Sequence, residues 1–156
     1  MATEGVEAKG SGAGGRTALA CILAWALPGA GHLYLGKKGK AAVFFLVVTA
    51  TFLLGLEMDG RVYLASADQP LSYLATFANL GLGPMDLIGR EVSYDRIIYF
   101  LPDERDRALH QKILDRTRSQ ILQPTHEYGT TFILTASLMN MLLILDAFDI
   151  GIGRKP

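Results

Sequence analysis

Cysteine is almost absent from this chain: Cys21 is the only one in 156 residues. With no second thiol, an intrachain disulfide framework and a cysteine-based zinc knuckle are both excluded, and Cys21 reads as a small buried hydrophobe. Histidine is nearly as scarce. His32, His110 and His126 are widely separated, with no second His or Cys at ligand spacing, so no metal site is expected. Net charge is also missing, because fifteen basic residues cancel fifteen acidic ones. A chain with no overall field to steer polyanions is not expected to bind nucleic acid. No paired-carboxylate, nucleophile or cofactor signature stands out either, so the chain reads as non-enzymatic and without a cofactor. Gly31, Gly36 and Lys37 have the spacing of a phosphate-binding loop, but Lys38 stands where that loop needs Ser or Thr.

Apolar sequence, by contrast, is abundant. Half of the residues are hydrophobic, and the charges are distributed so as to leave long stretches without any. Residues 17–35 hold no Lys, Arg, Asp or Glu in 19 positions, close to the ~20 a helix needs to cross about 30 Å of hydrocarbon. Residues 41–56 (AAVFFLVVTATFLLGL) are apolar all round, as a lipid-facing helix requires. A third stretch, TTFILTASLMNMLLIL from Thr130, predicts a helix over 130–148 ended by Asp146, Asp149 and the basic Arg154 and Lys155. The pattern predicts an all-α integral membrane protein with three transmembrane helices. Residues 71–89 are a candidate for a fourth, partial or full, weakened by Asn79, Pro84, Asp86 and three glycines. The charged segment 103–122 places Leu109, Ile113, Leu114 and Ile121 on one face, as an extramembrane amphipathic helix would.

Residues 1–15, mainly Gly, Ala and Glu, are expected to be a flexible tail, leaving 16–156 as a single membrane domain. The run TALACILAWAL could serve as a signal-peptide core, but no excess of positive charge precedes it and the apolar run continues through Leu33 and Leu35. Retention is therefore expected. Lys37, Lys38 and Lys40 between the first two helices, with Arg154 and Lys155 in the tail, put the turn and the tail on the cytoplasmic side. With three crossings, the N-terminus and residues 57–129 would lie outside.

The most specific local feature is the run from Pro28 to Lys40. Pro28 removes a backbone donor, Gly29 and Gly31 remove side chains, Tyr34 suits the headgroup level, and Gly36 and Gly39 permit a turn. Together they predict a kinked, closely packed helical hairpin whose Lys37, Lys38 and Lys40 meet lipid phosphates. The signature Pro28-Gly29-x-Gly31-His32-x-Tyr34-x-Gly36 resembles that of small uncharacterised prokaryotic membrane proteins, and is similar to the two-transmembrane hairpin domain. The ending SLMNMLLILDAFDIGIGRK strengthens that likeness. The resemblance implies a bacterial inner-membrane protein and no established activity. An acidic-Arg-Phe element usual in the hairpin domain is not found here.

Three further positions carry polar groups into apolar surroundings. His32 is expected to fasten the hairpin by a hydrogen bond, and Asn140, mid-helix, to bond across to another helix. Asp146 and Asp149 share a helical face and are expected to pair with basic residues of the tail or the hairpin. With His32 they could alternatively form a polar or ion site. The functional expectation is an accessory or structural subunit of a membrane complex, with the lipid bilayer and other subunits or further copies of the chain as partners. The alternative is an oligomeric transporter or ion- and proton-conducting protein using His32, Asp146 and Asp149.

Overall fold

Two of the three long uncharged runs become single long helices. In a computed structural model, which describes residues 10–102 and 106–155, the order is α1 (Gly10–Ala26), α2 (Ala30–Tyr34), α3 (Lys38–Glu57), α4 (Pro70–Leu80), α5 (Pro84–Tyr94), α6 (Arg107–Ile121) and α7 (His126–Gly151). Two of these, α3 with 20 residues and α7 with 26, are long and apolar enough to cross a membrane. Only 22% and 33% of their apolar windows are buried. Val43, Leu46, Leu53 and Leu54 on α3 and Leu138, Leu142 and Leu145 on α7 are exposed. The inward faces supply Val48 and Phe52 from α3 and Ile133, Ala136 and Leu143 from α7, which form the core with Val62 and Leu82.

Helices α3 and α7 are antiparallel, and glycines let their backbones touch at one end. A Cβ on Gly55 would lie 2.8 Å from the Gly129 carbonyl oxygen, and one on Gly60 only 2.2 Å from the Gly129 carbonyl carbon. Small residues draw helices together in this way, so dispersion and backbone contacts can substitute for larger side chains.

The other two apolar stretches do not form single long helices, so among the described residues two helices, against the three or four expected spans, are long and apolar enough to cross. In 17–35 the break falls at Leu27–Gly29. Pro28 is fully buried, Gly29 has φ +81°, and a Cβ there would meet the Ala41 carbonyl oxygen at 2.4 Å. Helix α1 runs antiparallel to α7, with Thr17 against Gly151 and the Cys21 thiol near the Ile144 carbonyl oxygen. Helix α2 then doubles back, Gly31 sitting so close to α1 that its Cβ would lie 2.3 Å from the Ala20 carbonyl oxygen. Since the hairpin returns to the end from which it started, Thr17, the lysine turn and the C-terminal tail share one end of the bundle. Thr17 therefore lies at the same end as the lysines, whereas the expected three-span arrangement puts the N-terminal segment at the other.

Residues 71–89 break at Gly81–Gly83 into α4 and α5, each 11 residues and so about 16 Å long, half of what a crossing needs. No single helix covers 71–89. Helix α4 runs alongside α7 from the level of Tyr63, whose carbonyl accepts from Thr76, to that of Asn140. Helix α5 returns, Gly89 packing on Val62 and Phe52. The two hairpins thus enter from opposite ends and meet about halfway along α7. Trp25 Nε1 donates to the Leu80 carbonyl at 2.9 Å, Asn140 Nδ2 donates to the Gly81 carbonyl at 2.7 Å, and a Cβ on Gly83, with φ +61°, would lie 2.0 Å from the Trp25 carbonyl oxygen. Such donors matter because the last carbonyls of a helix have no partner within it.

Helix α1 begins at Gly10, so the last six residues of the expected tail 1–15 are helical. Residues 1–9 lie outside the described residues. Within the expected amphipathic segment 103–122, α6 buries Ile113, half-buries Leu109 and Leu114, and leaves Ile121 exposed. Asp103, Glu104 and Arg105 lie outside the described residues.

Candidate functional site

The break at Pro28–Gly29 aims α2 back against α7 and buries His32 completely. Its Nε2 lies 3.0 Å from Asp146 Oδ2, across 114 residues of sequence. Beyond α7 the chain turns at Gly153, with φ +78°, and brings the tail back. Lys155 Nζ donates to Asp146 Oδ1 at 2.6 Å and lies 3.8 Å from Asp149 Oδ2, while Arg154 sits 3.9 Å from Asp149. Phe44 stands edge-on to the imidazole, ring centroids 4.9 Å apart. His32 Nδ1 is buried without a hydrogen-bond partner among the described residues.

This arrangement is a polar chain running from the exposed Lys155 through Asp146 to a buried imidazole. The hydrogen bond and the charge of Asp146 hold the Lys155 ammonium above the ordinary lysine value. The sign follows: the contribution of Lys155 to holding the tail is complete below that ordinary value and is lost as pH rises through the raised one, while Arg154 keeps its contact with Asp149. Replacing His32 by alanine should leave Asp146 without its helix-to-helix partner and open a void beside Phe44. The expected cost is about 2–4 kcal/mol, read as a fall in Tm, with His32→Gln milder.

The remaining residues singled out from the sequence are placed differently. Asn140 is fully buried but belongs to the meeting point of the two hairpins, not to the His32 chain. Lys37 is half-buried and Lys38 and Lys40 are exposed, and among the described residues none of the three forms an ion pair. Tyr34 is exposed, Gly36 has φ +81° in the turn, and Gly39 faces open space. Asp146 and Asp149 pair with the tail rather than with the hairpin lysines. Among the described residues no group of three His, Cys, Asp or Glu could hold a metal ion.

A second polar cluster, on α5, escaped the sequence reading. Arg90 is fully buried and Asp86 nearly so. Arg90 Nε donates to Asp86 Oδ2 at 2.7 Å, and Nη1 donates to the carbonyls of Ile98 at 2.6 Å and Tyr63 at 3.3 Å. The guanidinium carbon also lies 3.9 Å from the centre of the Tyr99 ring. Asp86 Oδ1, Arg90 Nη2 and Ser93 Oγ have no partner among the described residues. The legible signal was an Asp and an Arg four apart, the spacing that puts both on one helical face. Only the fold turned that face inward.

At the end of α5, Tyr94 donates its hydroxyl to the Val62 carbonyl at 2.6 Å, and burial pushes its pKa up to about 12. Unfolding returns the phenol toward its ordinary 10.0, so Tyr94's contribution is intact below pH 10 and is lost as pH climbs to about 12. The loss should reach about 3 kcal/mol. Tyr94→Phe should flatten the alkaline arm of a stability-against-pH curve over that window.

No curated protein and no solved structure matches the chain. A family described as a family of unknown function, DUF6677, matches residues 19–156, everything from the middle of α1 through both hairpins and α7 to the C-terminus. The chain therefore belongs to the DUF6677 family of unknown function.

Proposed function

We propose that the protein is a non-enzymatic integral membrane protein of the bacterial inner membrane, acting as an accessory or structural subunit of a membrane complex. The observation that carries this reading is the apolar exterior. Leu46, Leu54, Leu71, Leu74, Phe77, Leu142 and Leu145 cover α3, α4 and α7, while Asp86 and Arg90 are buried and paired. Water penalises such a surface and lipid does not. In this reading α3 and α7 cross, and the α1–α2 and α4–α5 hairpins are re-entrant, tolerated because Trp25 at the first tip donates to Leu80 at the second and Asn140 donates to Gly81 there. Lys37, Lys38 and Lys40 meet headgroups on the cytoplasmic side, the side of Thr17 and the C-terminal tail. The Pro28 to Gly36 signature relates the first hairpin to the two-transmembrane hairpin domain. Alkaline carbonate extraction should leave the chain in the membrane fraction, and crosslinking in native membranes should capture it with other membrane proteins. Release by carbonate would remove the membrane reading. A strictly monomeric protein with no crosslinked neighbour would remove the subunit reading.

A second reading, ion or proton conduction by an oligomer, draws on the Lys155–Asp146–His32 chain and the unpaired His32 Nδ1. Two broken helices meeting midway along α7 add to it, since transporters bind ions at such breaks. Liposome flux should then fall when His32, Asp146 and Asp149 are all replaced, and unchanged flux would rule conduction out.

A further inference from the structure

At the end of the bundle opposite the lysines, a cleft of about 430 Å³ opens between the segment after α3 and the start of α7. It is lined by Arg61, Tyr63, His126, Glu127, Thr130 and Thr131, together with the end of α6. Its hydrogen-bonding groups fall into two kinds. Arg61 has no carboxylate partner among the described residues. Thr130 accepts the Arg61 backbone N–H at 3.3 Å, and among the described residues its own hydroxyl proton has no acceptor. Both are donors, and they sit beside the N-terminus of the 26-residue α7, where first-turn N–H groups favour anions. Thr131 is not part of this set, because its hydroxyl already donates to the Glu127 carbonyl.

Acceptors complete the cleft. His126 is 5% exposed, and its Nδ1 lies 2.8 Å from the Asp59 carbonyl oxygen. A carbonyl only accepts, so Nδ1 carries the proton, the tautomer whose lone pair is on Nε2. Glu127, the next residue, is exposed and adds a carboxylate. A ligand matching both kinds of group carries an oxyanion and an N–H cation a few ångströms apart. We propose that this cleft binds a phosphate joined to a primary ammonium, as in the headgroup of an ethanolamine phospholipid. The phosphate meets Arg61 and Thr130, and the ammonium meets Glu127 and His126 Nε2. Guanidinium suits the phosphate because it delivers several N–H donors in one plane.

The lipid source rests on the membrane reading above, whereas the headgroup chemistry does not. The full chain is reconstituted in nanodiscs containing phosphatidylethanolamine, phosphatidylcholine or phosphatidylglycerol, and retained lipid is measured by native mass spectrometry. A parallel titration uses free glycerophosphoethanolamine on detergent-purified protein. Retention of phosphatidylethanolamine should exceed that of phosphatidylcholine, which has no N–H, and of phosphatidylglycerol, which has no ammonium, by about tenfold. Arg61→Gln should lower binding of all three, and Glu127→Gln should abolish the preference for ethanolamine while leaving phosphate binding in place. Arg61 is half-buried and Glu127 exposed, and an unchanged Tm for each variant separates lost binding from lost folding. Binding of free glycerophosphoethanolamine by a protein that carbonate releases would keep the cleft and discard the lipid. Equal retention of the three lipids by the unaltered protein, or retention indifferent to Arg61→Gln, would overturn the proposal.

Discussion

Replacing Arg90 by methionine should destabilise the protein by about 3–5 kcal/mol, enough to prevent recovery of folded material at ordinary temperatures. The physical reason is what remains. Asp86 would be left 1% exposed without its counter-charge, and the carbonyls of Tyr63 and Ile98 would each lose a guanidinium donor. Those two carbonyls lie outside the helices, so Arg90 ties the segments following α3 and α5 to the returning arm of the second hairpin. Changing Asp86 to leucine together with Arg90→Met should recover part of the loss, since a buried ion pair costs much desolvation and an apolar replacement of similar volume is often neutral. Denaturant unfolding of both variants checks this. A single variant as stable as the parent would show that water reaches Asp86.

Replacing Gly129 by valine should force α3 and α7 apart. A side chain at Gly129 would meet the Gly60 nitrogen at 2.6 Å and the Gly55 and Met58 carbonyl oxygens at 2.7 Å, all backbone atoms that cannot rotate away. Overpacking against movable side chains costs about 1–3 kcal/mol, and backbone contact puts this site at or beyond that range. The control is Gly39→Ala. Gly39 lies in the first turn of α3 with open space around it, so alanine there should be neutral or gain up to about 1 kcal/mol from helix propensity. The two substitutions pull in opposite directions although both replace a helical glycine. Tm measured in the same detergent distinguishes them, and a fall shared equally by both would refute the argument.

How much of this was legible beforehand differs from feature to feature. The runs that became α3 and α7 could be read directly, because absence of charge over such a length is itself a physical requirement. The kink at Pro28–Gly29 was legible too, since proline and glycine act on the local backbone. The depth of the kink was not. Proline can bend a helix or end it, and here it ended one because α2 found Ala20 and Ala24 to pack against. Likewise the Asp86 and Arg90 spacing was visible, but a charged pair on an amphipathic helix ordinarily faces water.

By itself, then, the sequence determined the apolar segments, where their helices could bend, and the scarcity of cysteine and histidine. These are consequences of composition and of backbone chemistry acting over a few residues. Tertiary structure decided that two of the apolar segments fold back from opposite ends and meet at Trp25, Leu80 and Gly83. It also decided that His32 reaches Asp146, and that Arg61, Glu127 and His126 line one cleft. Each of these pairings joins residues far apart in the chain, and no local preference favours one distant partner over another. The choice is made by which buried polar groups can be satisfied at once, and that depends on every helix being in place.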